Sequence, residues 1–339
     1  MDIDIAAYTG DNRKPVVILI HGLGMDKTIW ENPIQARFFG GSLPVSILLT
    51  KPPSQKDCTC SEKKTSSPSP GFTTGVRPRS LRTIFHDLRA KDYPVIAWSQ
   101  KRPVGGLAEA VKELSEVIPL AKRLSENGII LVGHSRGGLI ARKYLMYNRS
   151  DIKGLITIST PHKGSSIARL SQYISPLVSA VSPFFKKNSG TSKLKTSAKR
   201  IIDFLSSTGV MELLPESDLI KSFHDQKQDD VFCMTIGGTS PALFCLYRWR
   251  WKTVKDITRR RRILFPEKIF AVPAILEKII PFTLIPDEVR EGLGDGLVTA
   301  ESSMISWCGN HHNFPCNHAE ILFDRKVRQS ILAAISGIS

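Results

Sequence analysis

Apolar residues recur along this chain in two spacings. "PVVILIHG", residues 15 to 22, is an unbroken apolar run ending in glycine, the pattern of a strand buried on both faces. "YPVIAWSQ" (93–100), "IILVG" (129–133), "IKGLITIST" (152–160) and "DVFCMTIGG" (230–238) repeat it. Helical spacing lies between these runs. "LRTIFHDLRAKD" (81–92) reads as a helix, and so do Leu107, Val111, Leu114, Ile118 and Ala121. Pro119 predicts a kink in that second helix, and Gly128 lies just past its end. A further helix follows Ser135, and "HAEILFDRKVRQSILAAI" (318–335) closes the chain as another. Strands alternating with helices predict an α/β fold with a parallel sheet covered on both faces.

The alternation breaks after Gly164. Residues 165–230 look mostly helical, and Ile167, Leu170, Ile174, Leu177, Val178 and Val181 form an apolar stripe. Such a stripe fits either a helix packed permanently on the core or a lid over a site. Residues 51–80, rich in Pro, Ser, Lys and Thr, read as an exposed insertion, and 239–290 as a second irregular one. The expected plan is one domain in three pieces: a core from 1–164 with a polar insertion at 51–79, a helical cap or lid at 165–230, and the remaining core at 231–339 with a basic and apolar insertion at 240–290.

Composition narrows the classes. The 339 residues are 41% hydrophobic, enough for a sizeable core, and no run of 18 uncharged apolar residues marks a span. "MDIDIAAYTG" lacks the pattern of a secretory signal, and six cysteines in a chain this long are no disulfide scaffold, so a cytoplasmic setting is expected. The net charge of +16 favours an anionic partner or simply a basic solvated surface. The basic and aromatic residues form no nucleic-acid motif, so nucleic acid is not expected as a partner.

"IILVGHSRGGLIARKYL", 129 to 145, carries the chemistry. Ser135 stands between a buried strand and a helix, with Gly133 and Gly137 two residues to each side. The plain reading is a helix N-cap in a tight turn. The sharper one is a nucleophile elbow, G-x-S-x-G, which exposes a strained serine above the sheet. A serine hydroxyl needs a general base, and the base an orienting acid, in the chain order Ser, Asp or Glu, His. Of eight histidines, His318 in "FPCNHAEIL" lies in a loop opening into the last helix, with His311 and His312 as runners-up. Asp295, flanked by glycines in "GLGDGLVTAESS", competes for the acid with Asp287, Glu288 and Glu301. Oxyanion donors are expected from the backbone N–H of Arg136 and, in the "HGLG" loop at 21–24, that of Leu23.

These segments resemble the α/β-hydrolase-fold serine esterases of the lipase type. The matching pieces are "VVILIHGLG", "IILVGHSRGGLIARKYL", "GLITISTPHKGSS", "GDGLVTAESS" and "NHAEILFDRKV". The resemblance implies a mostly parallel sheet flanked by helices with an inserted cap. It also implies that the D-G-L-V loop supplies the acid, Asp295, and the N-H segment the base, His318. The activity implied is hydrolysis of carboxylic esters, lipid or other acyl esters, through an acyl-serine and with no cofactor. An acyltransferase or lipid-remodelling deacylase would use the same residues, and a lipid-binding scaffold without turnover is a third class.

Cys308, His311, His312 and Cys316 lie close together, and Cys58 and Cys60 form a pair, but the spacing matches no zinc site, so no metal is expected. Cys308 and Cys316 are also spaced for a disulfide in an exported protein. In the stretch 248–282, Arg248, Arg250, Lys252, Lys255 and Arg259 to Arg262 are interleaved with Trp249 and Trp251. Ile269, Phe270, Val272, Ile275, Leu276, Ile279 and Ile280 follow. This composition fits peripheral contact with an anionic membrane, or a solvated basic loop followed by a buried helix.

Overall fold

The computed structural model describes residues 3–38, 43–52, 72–74, 80–166, 204, 207–224, 230–255, 260–272 and 285–338. The central sheet has seven strands: β1 (Ile5–Tyr8), β2 (Val16–Ile20), β6 (Val95–Trp98), β7 (Ile129–His134), β8 (Ile152–Ile158), β9 (Phe232–Gly238) and β12 (His311–Phe314). Their spatial order is β1-β6-β2-β7-β8-β9-β12. All neighbours are parallel except β1, which runs antiparallel along β6 at one edge. Each long apolar run identified in the sequence is one of these strands. The edge strands β1 and β12 carry mixed polarity, because an edge is half solvated, and periodicity gives them no signal.

Period-two alternation splits each strand between two cores. Val17, Leu19, Ile130 and Val132 face α2 (Ile84–Ala90) and the closing helix α7 (Arg325–Ile338) through Phe85, Leu88, Val327 and Ile331. Val16, Ile18, Ile129 and Leu131 face α3 (Leu107–Leu124) and α4 (Arg136–Tyr147) through Leu114, Val117, Leu139 and Ile140. Burying each such side chain contributes about 2 kcal/mol. Pro119 sits inside α3 without ending it, and Gly128 turns the chain toward β7 at φ +83°. Shorter elements are the helices α1 (Thr28–Glu31), α5 (Thr208–Met211) and α6 (Asp218–Lys221) and an antiparallel pair, β3 (Arg37–Phe38) and β4 (Leu43–Pro44).

The chain leaves β2 for β6 on one side and later returns to β7 on the other. That reversal makes a switch point, and the crevice beyond the carboxyl ends of β2 and β7 is where open α/β sheets bind ligands.

The irregular stretch expected at 239–290 proves to contain a long hairpin, β10 (Phe244–Lys255) and β11 (Arg260–Val272), with β5 (Phe72–Thr74) paired along β10. Ile269, Phe270 and Val272 therefore lie in a strand, not in a buried helix. Arg248-Trp249-Arg250-Trp251 alternates with a period of two, which suits a pleated ribbon. Its third strand comes from 72–74, far away in sequence. The apolar stripe at 167–181, residues 273–280, and Cys58 and Cys60 lie outside the described residues.

Candidate active site

Ser135 sits at φ 54° and ψ −129°, a strained conformation for a residue with a side chain. It opens α4, yet its hydroxyl makes no capping hydrogen bond, so the plain N-cap reading does not hold. The flanking glycines serve close approach. A Cβ at Gly133 would lie 2.4 Å from the Gly138 nitrogen, and one at Gly137 would lie 2.4 Å from the Ile20 carbonyl oxygen. Strand, turn and helix can stack this tightly only without those side chains.

Asp295 and His318 meet beside this turn. His318 Nδ1 donates to Asp295 Oδ2 at 2.9 Å, and the His318 N–H donates to the Asp295 carbonyl at 2.9 Å. Asp295 Oδ1 accepts from the Leu297 and Val298 N–H groups at 3.0 and 2.8 Å. The carboxylate is fully buried, and Gly296 turns beneath it at φ +96°. Gly238 at the end of β9 leaves room for it, since a Cβ there would lie 2.7 Å from Asp295 Cβ. Among the described residues, no hydrogen bond joins Ser135 Oγ to the His318 ring. In free enzymes such contacts are commonly long and tighten around substrate.

The competing residues are engaged elsewhere. Asp287 pairs with Arg290 at 2.8 Å, Glu301 with Lys163 at 2.8 Å, and buried Glu288 accepts from the Ser166 N–H at 2.6 Å. His311 bonds Thr235 and Asn313, and His312 is exposed on β12.

The loop after β2 lies against the turn. A Cβ at Gly22 would stand 3.0 Å from Ser135 Cβ. Among the described residues, neither the Leu23 N–H nor the Arg136 N–H donates to a backbone carbonyl, so both are free to meet a ligand oxygen. The side chain of Arg136 was not singled out by sequence. It is buried and ties the parts together, donating from Nη1 to Gln100 Oε1 at 2.9 Å and from Nη2 to the Gly105 carbonyl at 2.6 Å. Burial lowers its pKa to about 10, which leaves it cationic at neutral pH. Gln100 in turn donates its backbone N–H to His21 Nε2 at 3.0 Å, and His21 Nδ1–H donates to the Gly22 carbonyl at 2.8 Å. His21 is therefore held neutral, and burial pushes its pKa down to about 4.

His134, beside the serine, was also missed. Its Nε2 lies 3.0 Å from the His318 carbonyl, an acceptor, so Nε2 carries the hydrogen. Burial, and then the neighbouring His318, push the His134 imidazole well below its usual range. Asn317 is the third missed residue. Its amide donates to the Leu48 and Ala242 carbonyls at 2.9 and 2.7 Å, and its oxygen accepts from Ala319 and Glu320. No periodic signal marks these three, because each acts through contacts between distant segments.

Cys308 and Cys316 are free thiols rather than a disulfide. Among the described residues, no group of three or more His, Cys, Asp or Glu side chains is arranged to hold a metal ion. Likewise, no described helix is long and apolar enough to cross a membrane.

The mature form of the lipase BlEst2 from Bacillus licheniformis superposes with a TM-score of 0.52 at 14% identity, over 99% of this chain and 98% of that one. The fold is that of the α/β hydrolases. The propeptide form of the same lipase gives 0.51 at 15% identity, over 98% of this chain and 53% of that one. Residues 106–231, which include Ser135, match the family model described as a PGAP1-like alpha/beta domain. No curated protein matches the chain.

Proposed function

We propose that this α/β-hydrolase-fold chain is a serine esterase that hydrolyses carboxylic esters, with lipid or other acyl esters as its substrate class. What supports the reading is a strained, uncapped Ser135 at the sheet's switch point, preceded by His134, whose ring lies 4.8 Å from that of His318, the partner of Asp295. Ser135 Oγ attacks the ester carbonyl while His318 Nε2 takes its proton. Asp295 keeps the Nδ1 hydrogen in place and stabilises the imidazolium. The N–H groups of Leu23 and Arg136 hold the oxyanion, helped by the positive end of α4. The imidazolium then protonates the leaving alcohol. Water, deprotonated by His318, releases the acid and restores Ser135.

Segment 165–230 is read as a cap over this crevice. Its described part supports that reading: a Cβ at Gly209 would lie 2.6 Å from Leu23 Cδ1, and Leu107 N–H donates to Glu212 Oε2 at 2.8 Å. The fold shared with a lipase supports an apolar acyl group. The test is labelling by a fluorophosphonate probe together with turnover of an ester series of increasing chain length. Labelling at Ser135 and ester turnover are expected. An unlabelled Ser135 and no turnover would leave a binding scaffold. Preferential capture of the acyl group by an added alcohol would make the protein an acyltransferase.

A further inference from the structure

Among the described side chains of the hairpin, Trp251 and Ile269 are the exposed large apolar ones, each 47% exposed. Their placement follows from the register. Tyr247, Trp249 and Trp251 share one face of β10. Tyr247 is buried and donates to the Thr50 carbonyl at 2.6 Å, and Trp249 is 5% exposed. Two residues further on, on the same face, Trp251 is uncovered. Ile269 is the extra residue of a bulge, because Leu246 pairs with Phe270 while Tyr247 pairs with Lys268.

The charge is one-sided. Along β10 and β11 stand Arg248, Arg250, Lys252, Lys255, Arg260, Arg261, Arg262 and Lys268, against the single acid Glu267. Glu267 engages Arg248 at 3.6 Å and Arg250 at 3.0 Å. Lys252, Lys255 and Arg260 to Arg262 occupy the end away from that acid, beyond Trp251. The root of the hairpin is joined to the site. Asn317, next to His318, donates to the Ala242 carbonyl at 2.7 Å, and a Cβ at Gly296, next to Asp295, would lie 2.5 Å from Leu243 Cγ.

We propose that the distal half of this hairpin, Trp251 with the cations of 252–255 and 260–262, together with Ile269, docks the protein on an anionic lipid bilayer. Cations there meet lipid phosphates, and tryptophan prefers the bilayer interface. The root contact sets the ester site beside the surface that holds its substrate. The docking rests on the esterase reading for its purpose, but its physics does not require turnover.

The test uses the full chain and its Ser135→Ala variant with vesicles of phosphatidylcholine alone or mixed with phosphatidylglycerol. Both proteins should sediment with the mixed vesicles about tenfold or more better than with neutral ones. Added salt should weaken binding, because exposed charges are screened over about 8 Å at physiological ionic strength. Arg260→Gln, Arg261→Gln and Arg262→Gln together should lower binding about a hundredfold, at about fivefold per cation. Trp251→Ala should also lower it, and soluble short-chain ester turnover should be unchanged in both. Equal, salt-insensitive binding to the two vesicle types would overturn the proposal. So would full binding by the triple variant, or stripping of the protein from vesicles by double-stranded DNA in favour of a DNA complex. Vesicle binding without ester turnover would keep the docking and remove the esterase.

Discussion

The switch-point crevice and the distal hairpin hold their chemistry in opposite ways. In the crevice, polar groups are buried and almost every one has a fixed partner: Asp295 takes three hydrogen bonds, and Arg136 spans two segments. From Arg248 to Lys268, nine cations stand against two acids, Asp256 and Glu267, and the ion pairs of Glu267 with Arg248 and Arg250 are open to solvent. Groups fixed in a dry site act through geometry, whereas solvated charges act through their sum. Single substitutions should therefore be severe in the crevice and mild in the hairpin.

The sharpest break of that contrast is Ser135→Ala, expected to lower kcat for a soluble ester by about a millionfold with the melting temperature little changed. Retained turnover would place the nucleophile elsewhere. Asp295→Asn should cost about ten-thousandfold, because His318 remains but loses its orienting carboxylate. Asp287→Asn should be silent in the same assay, since Asp287 is exposed and pairs only with Arg290 among the described residues. A reversal of those two results would reassign the acid.

Arg136→Met tests whether fixed geometry extends past the reacting groups. It removes the link from the elbow through Gln100 to the loop of His21 and Gly22. Misplacing the oxyanion donors should lower kcat by about a hundredfold with KM nearly unchanged. A loss confined to stability, with normal kcat in the folded fraction, would make Arg136 a packing residue.

The smallest expected effect is on stability against pH. His21 is neutral when folded, with a pKa near 4 against 6.5 when free. The unfolded chain thus binds more protons below about pH 6.5, so this stability is present above that value and fades toward pH 4. Between pH 7 and 5, His21 alone should cost about 2 kcal/mol. His134 and His162 shift in the same direction, chiefly through burial. Calorimetry should show the melting temperature falling over that range, and less steeply in His21→Gln. An unchanged melting temperature would mean that these histidines gain protons without unfolding.

Much of this was legible in one dimension. Runs such as "PVVILIHG" and "IILVG" became β2 and β7 because a strand buried on both faces must be apolar throughout. The elbow was legible because its glycines are dictated by contacts within one local turn and with the adjoining strand. Residue order and a resemblance to known esterases pointed to Asp295 and His318, 23 positions apart.

The hairpin and the supports around the site needed three dimensions. Whether Arg248-Trp249-Arg250-Trp251 is loop or ribbon depends on pairing with β11, whose own sequence carries no period-two signal, and with β5, which comes from 72–74. Likewise, that His134 holds the His318 carbonyl, 184 positions away, is a consequence of β7 and the last loop ending at the same edge. Local spacing determines which segments can be strands, helices and turns, because those patterns repeat over a few residues. Which buried polar groups become partners is decided only by tertiary packing, since each must find its hydrogen bond wherever the fold brings a complementary atom.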